Sequence, residues 1–382
     1  MLQRIYSVPA MTLETLETPA LLLDADKLDA NCRRMRERLQ SHGVVLRPHV
    51  KTAKSVEVTQ KALDAPSGAI TVSTLREAEY YFDHGFRDIL YAVGLVGAKV
   101  PRLAELVKRG AQVRAIVDSV EAARELNLAS AKAGVRIAAL IEIDSDGHRA
   151  GVRPDSQDLL EVAEALGDTL HGVMTHAGDS YNCTTVDGIR DVAARERDAV
   201  VHSAGKLRRA GHACPVVSVG STPTATFASN FAGVTEVRPG VYVFHDLVMA
   251  GLGVCRIEDI AISVLASVIG HQREKNWILV DAGWMALSRD RGTAKQRIDQ
   301  GYGVVCDAGG HPIEDLIVVD ANQEHGIVAR RGGGAIDLKR YPVGSLLRIL
   351  PNHACATAAQ HSEYQVLRDG QPVEVWERFG GW

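Results

Sequence analysis

The feature that most constrains this chain is a repeated alternation of short apolar, β-branched runs with segments of helical periodicity. The runs are ALLLD (20–24), VVLRPHVK (44–51), GAITVST (68–74), DILYAV (88–93), QVRAIVDS (112–119), RIAALIEID (136–144), LHGVMTHAG (170–178) and PVVSVGST (215–222). Between them lie KLDANCRRMRERLQSHG, TLREAEYYFDHG, AKVPRLAELVKRG, SVEAARELNLASAKAG and DVAARERDAVVHSAGKLRRAG, several closing at a glycine as helices often do. Strands that are continuously apolar, rather than alternating, are buried on both faces, which points to a parallel sheet covered by its own crossover helices. Eight such units over about 230 residues predict a closed (β/α)8 TIM-type barrel. An open doubly wound sheet is the second choice, because it usually has fewer strands and its G-x-G-x-x-G turn is missing after the first run.

Beyond about residue 250 the texture changes. IAISVLASVIGHQ, NWILVDAGWMA, DLIVVDANQEHGIVAR, GSLLRILPNHA and EYQVLRDGQPVEVWERF read as strands, with turns at Lys275-Asn276 and Asp369-Gly370. The expected organisation is therefore a barrel over 18–250 and an all-β domain over 251–382, with residues 1–17 packing with the all-β domain rather than the barrel.

Charge and composition exclude several classes of partner. The net charge is −4 with both signs dispersed, which gives no electrostatic basis for nucleic acid or an anionic membrane surface. No run approaches the roughly 20 apolar residues of a membrane span. The N-terminal stretch lacks the apolar core of a signal peptide, so a cytoplasmic location is expected. Cys32, Cys183, Cys214, Cys255, Cys306 and Cys355 form no C-x-x-C pair, and all but the last read as reduced, mostly buried thiols.

In such a barrel the chemistry gathers at the C-terminal ends of the strands. The polar residues expected there are His49 and Lys51, Asp144 to Arg149, His176, Tyr181 and Gly220-Ser221-Thr222. Lys51 ends an apolar approach, where a sheltered amine favours imine chemistry; Lys54 is the neighbouring decoy. Gly220, Ser221 and Thr222 offer main-chain donors and hydroxyls to an oxyanion, or form a simple turn before Pro223. Tyr181 either meets a cofactor ring nitrogen or plugs the barrel mouth. Arg149 either serves a phenolic oxygen or pairs with Asp144 or Asp146, and His176 packs on a ring or within the core. Late in the chain, His353 and Cys355 are two residues apart, so on an extended segment they project to one side as ligands for zinc or a similar ion. A packed histidine beside a buried thiol is the plainer alternative, and His361 is a possible additional ligand.

Taken together, RPHVKTAK, EIDSDGHRAGV, THAGDSY, SVGSTPTA and PNHACATAAQ resemble the D-threonine aldolase/D-serine dehydratase-like family. These are fold-type III pyridoxal-phosphate enzymes with an alanine-racemase-like barrel, and the likeness spans the chain from TPALLLD to VWERFGGW. The resemblance implies Lys51 as the Schiff-base lysine. It assigns the cofactor phosphate to Gly220, Ser221 and Thr222 with help from Gly240 and Tyr242, and the pyridine nitrogen to Tyr181. Arg149 and His176 join the cofactor set, and His353 with Cys355 become ligands of a divalent ion, whether zinc, manganese, cobalt or magnesium. Retro-aldol members of the family often carry H-x-D at the metal position, whereas its dehydratases carry H-x-C. The expected reaction is thus dehydration of a small 3-hydroxy amino acid: 3-hydroxyaspartate to oxaloacetate and ammonia, or D-serine to pyruvate and ammonia. D-threonine aldolase is the alternative, followed by an amino-acid racemase or a non-catalytic cofactor carrier. A homodimer is expected by the same resemblance.

Overall fold

The computed structural model describes residues 12–382. They form two compact units. One comprises the described residues through Leu28, Asp246–Val248 and Ile257–Arg378; the other comprises Asp29–His245, Met249–Arg256 and Phe379–Trp382. The first strand, β1 (Ala20–Asp24), belongs to the former, and the next eight form the barrel of the latter.

The barrel strands are β2 (Val45–Leu46), β3 (Ile70–Val72), β4 (Asp88–Tyr91), β5 (Gln112–Val117), β6 (Ala138–Glu142), β7 (Leu170–Met174), β8 (Val216–Val219) and β9 (Glu236–Val237). They pair in parallel in the order β2-β9-β8-β7-β6-β5-β4-β3. A parallel bridge between His49 and Thr71 joins the two ends, with Val50 N–H donating to Thr71 O and Thr71 N–H to Pro48 O, both at 2.9 Å. The sheet is therefore closed, and a (β/α)8 barrel replaces the open-sheet alternative. Helices Ala25–Ser41, Leu75–Asp83, Val100–Lys108, Val120–Lys132 and Val186–Arg209 occupy the segments where helical periodicity predicts them.

Seven of the eight predicted runs are barrel strands and one is not. ALLLD forms β1, which pairs antiparallel with β10 (Ile262–Gln272) and parallel with β16 (Glu363–Arg368) in the second sheet. Its leucines are buried on both faces there, which satisfies the same apolar pattern. The eighth barrel position is β9, only two residues long and carrying a charge. Glu236 escapes an apolar-run criterion because it lies in a buried ionic layer: Arg47 donates to it at 2.7 Å and Ser218 at 2.7 Å. Arg47 also pairs with Asp88 at 2.8 Å, and Arg114 closes on the same carboxylate.

The second sheet continues with β11 (Trp277–Val280), β12 (Gly303–Cys306), β13 (Pro312–Ala321), β14 (Gly326–Arg330), β15 (Leu346–Pro351), β16 and β17 (Gln371–Glu377). Its order is β11-β14-β13-β12-β15-β10-β1-β16-β17, and β10 also pairs with β11. That last pairing closes a six-stranded antiparallel barrel, with β1, β16 and β17 extending from β10. Its core includes Leu247, Ile260, Val304, Cys306, Ile317 and Leu350. Leu13 and Leu16 pack with Ala20, Leu22, Leu265 and Leu367, so residues 12–17 lie with this unit; the expectation for residues 1–11 falls outside the described residues. The all-β expectation needs one amendment, because short helices at Trp284–Leu287 and Ala354–Ala358 interrupt the strands, and both border the residues discussed next.

Cys32, Cys214 and Cys306 are buried, and Cys183, Cys255 and Cys355 are partly buried. Among the described residues no helix is long and apolar enough to cross a membrane.

Candidate active site

The topology brings the expected barrel residues to one rim. Strands β6, β7, β8, β9 and β2 are consecutive neighbours, and their C-terminal ends carry Arg149, His176 with Tyr181, Gly220 to Thr222, Gly240 with Tyr242, and Lys51. Lys51 is exposed on a turn rather than sheltered at a strand end, because β2 stops at Leu46. Residues 47–50 continue only by main-chain bonds to Val237, Pro239 and Thr71 before the chain turns. Lys54 is committed elsewhere. It pairs with the fully buried Glu77 at 3.2 Å and lies over the Phe379 ring.

The β8 turn is tightly enclosed. Gly220 has φ +124°, and a Cβ there would stand 2.7 Å from the main-chain nitrogen of Arg238. Ser221 and Thr222 are buried; the Ser221 hydroxyl meets Ser180 at 2.9 Å and Thr224 at 3.0 Å. Across the turn, a Cβ on Gly240 would come within 3.0 Å of His49 O and 3.2 Å of Thr52 Oγ1. Tyr242 reaches Thr222 through its main chain, N–H to Oγ1 at 3.2 Å. Its phenol is buried without a hydrogen-bond partner among the described residues, and burial, with Cys32 nearby, pushes it well above the usual range.

His176 holds Gly220 O at 3.3 Å through Nδ1, and its ring lies 6.3 Å from that of Tyr181. Burial, then the positive charges of Lys51 and Arg238, push His176 down to about 3, so the imidazole is neutral. His49 is shifted down by the same causes, and its buried Nδ1 has no hydrogen-bond partner among the described residues. Arg149 pairs with neither Asp144 nor Asp146 but with Glu142 at the end of β6, at 3.2 Å. Asp144 instead caps its own turn, accepting from Asp146 and Gly147 N–H.

His353 and Cys355 stand in the other unit. They do not lie on an extended segment. His353 is the N-cap of the helix Ala354–Ala358 and Cys355 its second residue. Nδ1 of His353 is 2.6 Å from Oδ2 of Asp290, and the Ala354 N–H donates to Asp246 at 2.9 Å. Burial alone would lower His353, but Cys355, Asp290 and Asp246 outweigh it and raise the imidazole to about 11. His361 is occupied by Ala286 O at 3.0 Å. Among the described residues no group of three or more His, Cys, Asp or Glu side chains converges on one point.

Three residues that the motifs did not single out matter here. Arg238, buried, holds Ser218 and the Thr175 carbonyl beneath the rim; Glu196 accepts main-chain N–H groups of both the β7 and β8 turns; Asp290 orients His353. Asp290 lies inside the SRDRG stretch, but nothing local distinguishes it from its charged neighbours.

These residues fit a phosphorylated aromatic aldehyde. The glycines leave room for close approach, the hydroxyls are buried, the His49 nitrogen and the nearby Thr71 hydroxyl find no partner among the described residues, and a lysine stands on the same rim. The pair on the other unit also fits a borderline-soft divalent ion. Its donors are thiolate and imidazole, and the imidazole's other nitrogen is held by a carboxylate.

Residues 23–247 match the alanine racemase N-terminal domain family, and residues 261–367 match a serine dehydratase domain family. The chain is 52% identical to D-threo-3-hydroxyaspartate dehydratase of Delftia sp. strain HT23, over 97% of this chain and 99% of that one. It is 32% identical to D-serine dehydratase of Dictyostelium discoideum, over 94% and 96%. The solved structure of the Delftia enzyme superposes with a TM-score of 0.95 over 97% of this chain and 100% of that one. A cysteine-to-alanine variant of it in the metal-free form gives the same values. The chain belongs to the D-threonine aldolase/D-serine dehydratase-like family of fold-type III pyridoxal-phosphate enzymes.

Proposed function

We propose that this chain is a lyase that dehydrates a small 3-hydroxy amino acid using pyridoxal phosphate and a divalent metal ion. The preferred reaction is D-threo-3-hydroxyaspartate to oxaloacetate and ammonia, with D-serine to pyruvate and ammonia as the related one. The observation that carries the reading is 52% identity over nearly the full length to a D-threo-3-hydroxyaspartate dehydratase. The His353–Cys355 pair, in the H-x-C form, supports the dehydratase over the aldolase.

In this reading Lys51 is the amine that bonds the cofactor, with Gly220, Ser221, Thr222 and Gly240 around its phosphate and Tyr242 bracing Thr222. His176 lies against the ring, Tyr181 faces the ring nitrogen, and Arg149 serves the phenolic oxygen. When bound, pyridoxal phosphate acidifies the Cα–H bond of an amino acid, and a divalent ion on His353 and Cys355 stabilises the negative charge of a departing hydroxide. The Lys51 amine would be the base that takes the Cα proton. The neutral His176 neither adds charge to the ring face nor competes for that proton. Asp290 holds Nδ1 of His353, so Nε2 would be the ligand nitrogen. The same reading makes the working form a cytoplasmic homodimer.

The test is to incubate the purified protein with D-threo-3-hydroxyaspartate, D-serine and D-threonine, with and without EDTA, assaying ammonia, 2-oxo acid and aldehyde. Ammonia with oxaloacetate or pyruvate, lost with EDTA and restored by metal, is the expected result. Glycine with an aldehyde would make the protein an aldolase instead.

A further inference from the structure

Glu196 lies in the middle of the helix Val186–Arg209, yet its carboxylate is buried and closes a ring of hydrogen bonds beneath the rim. One oxygen, Oε1, accepts the N–H of Ala177 at 3.1 Å and the N–H of Gly220 at 2.9 Å. Ala177 directly follows His176, whose Nδ1 lies 3.3 Å from Gly220 O. Gly220 is thus held by both its N–H and its carbonyl, and both holds lead to the turn after β7. Ser180 ties the same two turns, meeting Ser221 at 2.9 Å and Ala177 O at 2.8 Å. The helix carrying Glu196 is anchored by Ile189, Val192, Ala193, Val200 and Leu207, so the carboxylate is a fixed point. A carboxylate is buried at this depth only where it accepts hydrogen bonds, and Arg238 supplies a balancing charge nearby.

We propose that Glu196 is a positioning residue that sets the spacing between the His176 turn and the Gly220-Ser221 turn, so that one ligand engages both at once. This rests on the reading that places the cofactor ring at His176 and its phosphate at Gly220 to Thr222. A ligand spanning two anchor points gains from both only when their separation matches its own, whereas a ligand touching one point is indifferent to that separation. Glu196 therefore acts on pyridoxal phosphate more than on either of its halves.

The experiment titrates apo-protein of the parent, Glu196→Leu and Glu196→Gln with pyridoxal phosphate, pyridoxal and inorganic phosphate. Imine absorbance follows the two aldehydes, competition with pyridoxal phosphate follows the phosphate ion, and thermal midpoints are recorded throughout. E196L is expected to lose about ten-fold or more in pyridoxal phosphate affinity while pyridoxal and phosphate each stay within about three-fold. E196Q, which keeps an acceptor oxygen, falls between. Equal losses for all three ligands, or no loss for pyridoxal phosphate, overturn the proposal. If E196L does not fold, E196Q decides by the same comparison. A parent that binds pyridoxal as tightly as pyridoxal phosphate would instead show that the phosphate assignment is wrong, and the proposal would fall with it.

Discussion

Oδ2 of Asp290 lies 2.6 Å from Nδ1 of His353, although 63 residues separate them in the chain. A carboxylate on one imidazole nitrogen fixes the tautomer and ring orientation and leaves the other nitrogen as a ligand. The contact gives the proposal of a metal ion on His353 and Cys355 a specific test. Asp290→Asn keeps the shape but gives up the charge, and the expected loss of metal affinity is about 10- to 100-fold. Metal content after dialysis against graded EDTA checks this. Unchanged retention would show that the pair does not depend on Asp290.

Lys51 and Lys54 are three residues apart and do different work. Lys51 is exposed, and Lys54 neutralises Glu77, which is fully buried and also accepts from the Ser73 N–H and hydroxyl at 2.8 Å each. Lys51→Ala should remove all chromophore fixed by borohydride reduction and leave thermal stability nearly unchanged. Lys54→Ala should keep the chromophore but leave a buried carboxylate without its cation, which costs about 3 kcal/mol. A reduced adduct mapped to Lys54 would reverse the assignment.

Much of this was readable from the sequence where the signal is local. The Lys51 motif, the Ser-Thr turn after β8 and the H-x-C pair are each contiguous in the chain, and seven barrel strands follow from apolar runs. What escaped is long-range or carried by charge. The run at 20–24 has the same pattern as a barrel strand, and only its pairing with β10 and β16 assigns it to the other sheet. Glu236 places a strand where its sequence looks like a loop, because its carboxylate is satisfied by Arg47 and Ser218 from neighbouring strands. Glu196 and Asp290 look like ordinary surface acids until the fold supplies their partners.

The buried imidazoles on the rim predict a pH dependence of folding. His176 is pushed down to about 3 and His49 shifts the same way, in both cases by burial first and then by Lys51 and Arg238. An unfolded histidine titrates near about 6.5. Above that value neither state binds the proton, and the shift has no effect. Below it the unfolded chain takes up protons that the folded chain refuses, so stability falls as pH drops from about 6.5 toward the folded value. His176→Phe removes one such proton. The urea midpoint of the apo variant should therefore decline less between about pH 6.5 and 4.5 than that of the parent. Parallel declines would mean that His176 charges in the folded protein.

Gly220 and Gly240 both border the proposed phosphate position, but the backbone makes them unequal. Gly220 has φ +124°, and an alanine there would set its Cβ 2.7 Å from the main-chain nitrogen of Arg238, which cannot swing aside. Gly240 has φ −126°, an ordinary value, and its nearest contacts are His49 O at 3.0 Å and Thr52 Oγ1 at 3.2 Å. Gly220→Ala should thus lose about 1–3 kcal/mol to backbone strain alone, with a further loss from the contact, and should be purified with little cofactor. Gly240→Ala should fold close to the parent and lose cofactor only modestly, since its neighbours need yield only a few tenths of an ångström. Thermal midpoints of the apo-proteins separate strain from ligand loss, and cofactor content then reports the phosphate site. Equal destabilisation by the two alanines would mean that the turn after β8 relaxes freely, and the tight Gly220 geometry would then have no part in holding the cofactor.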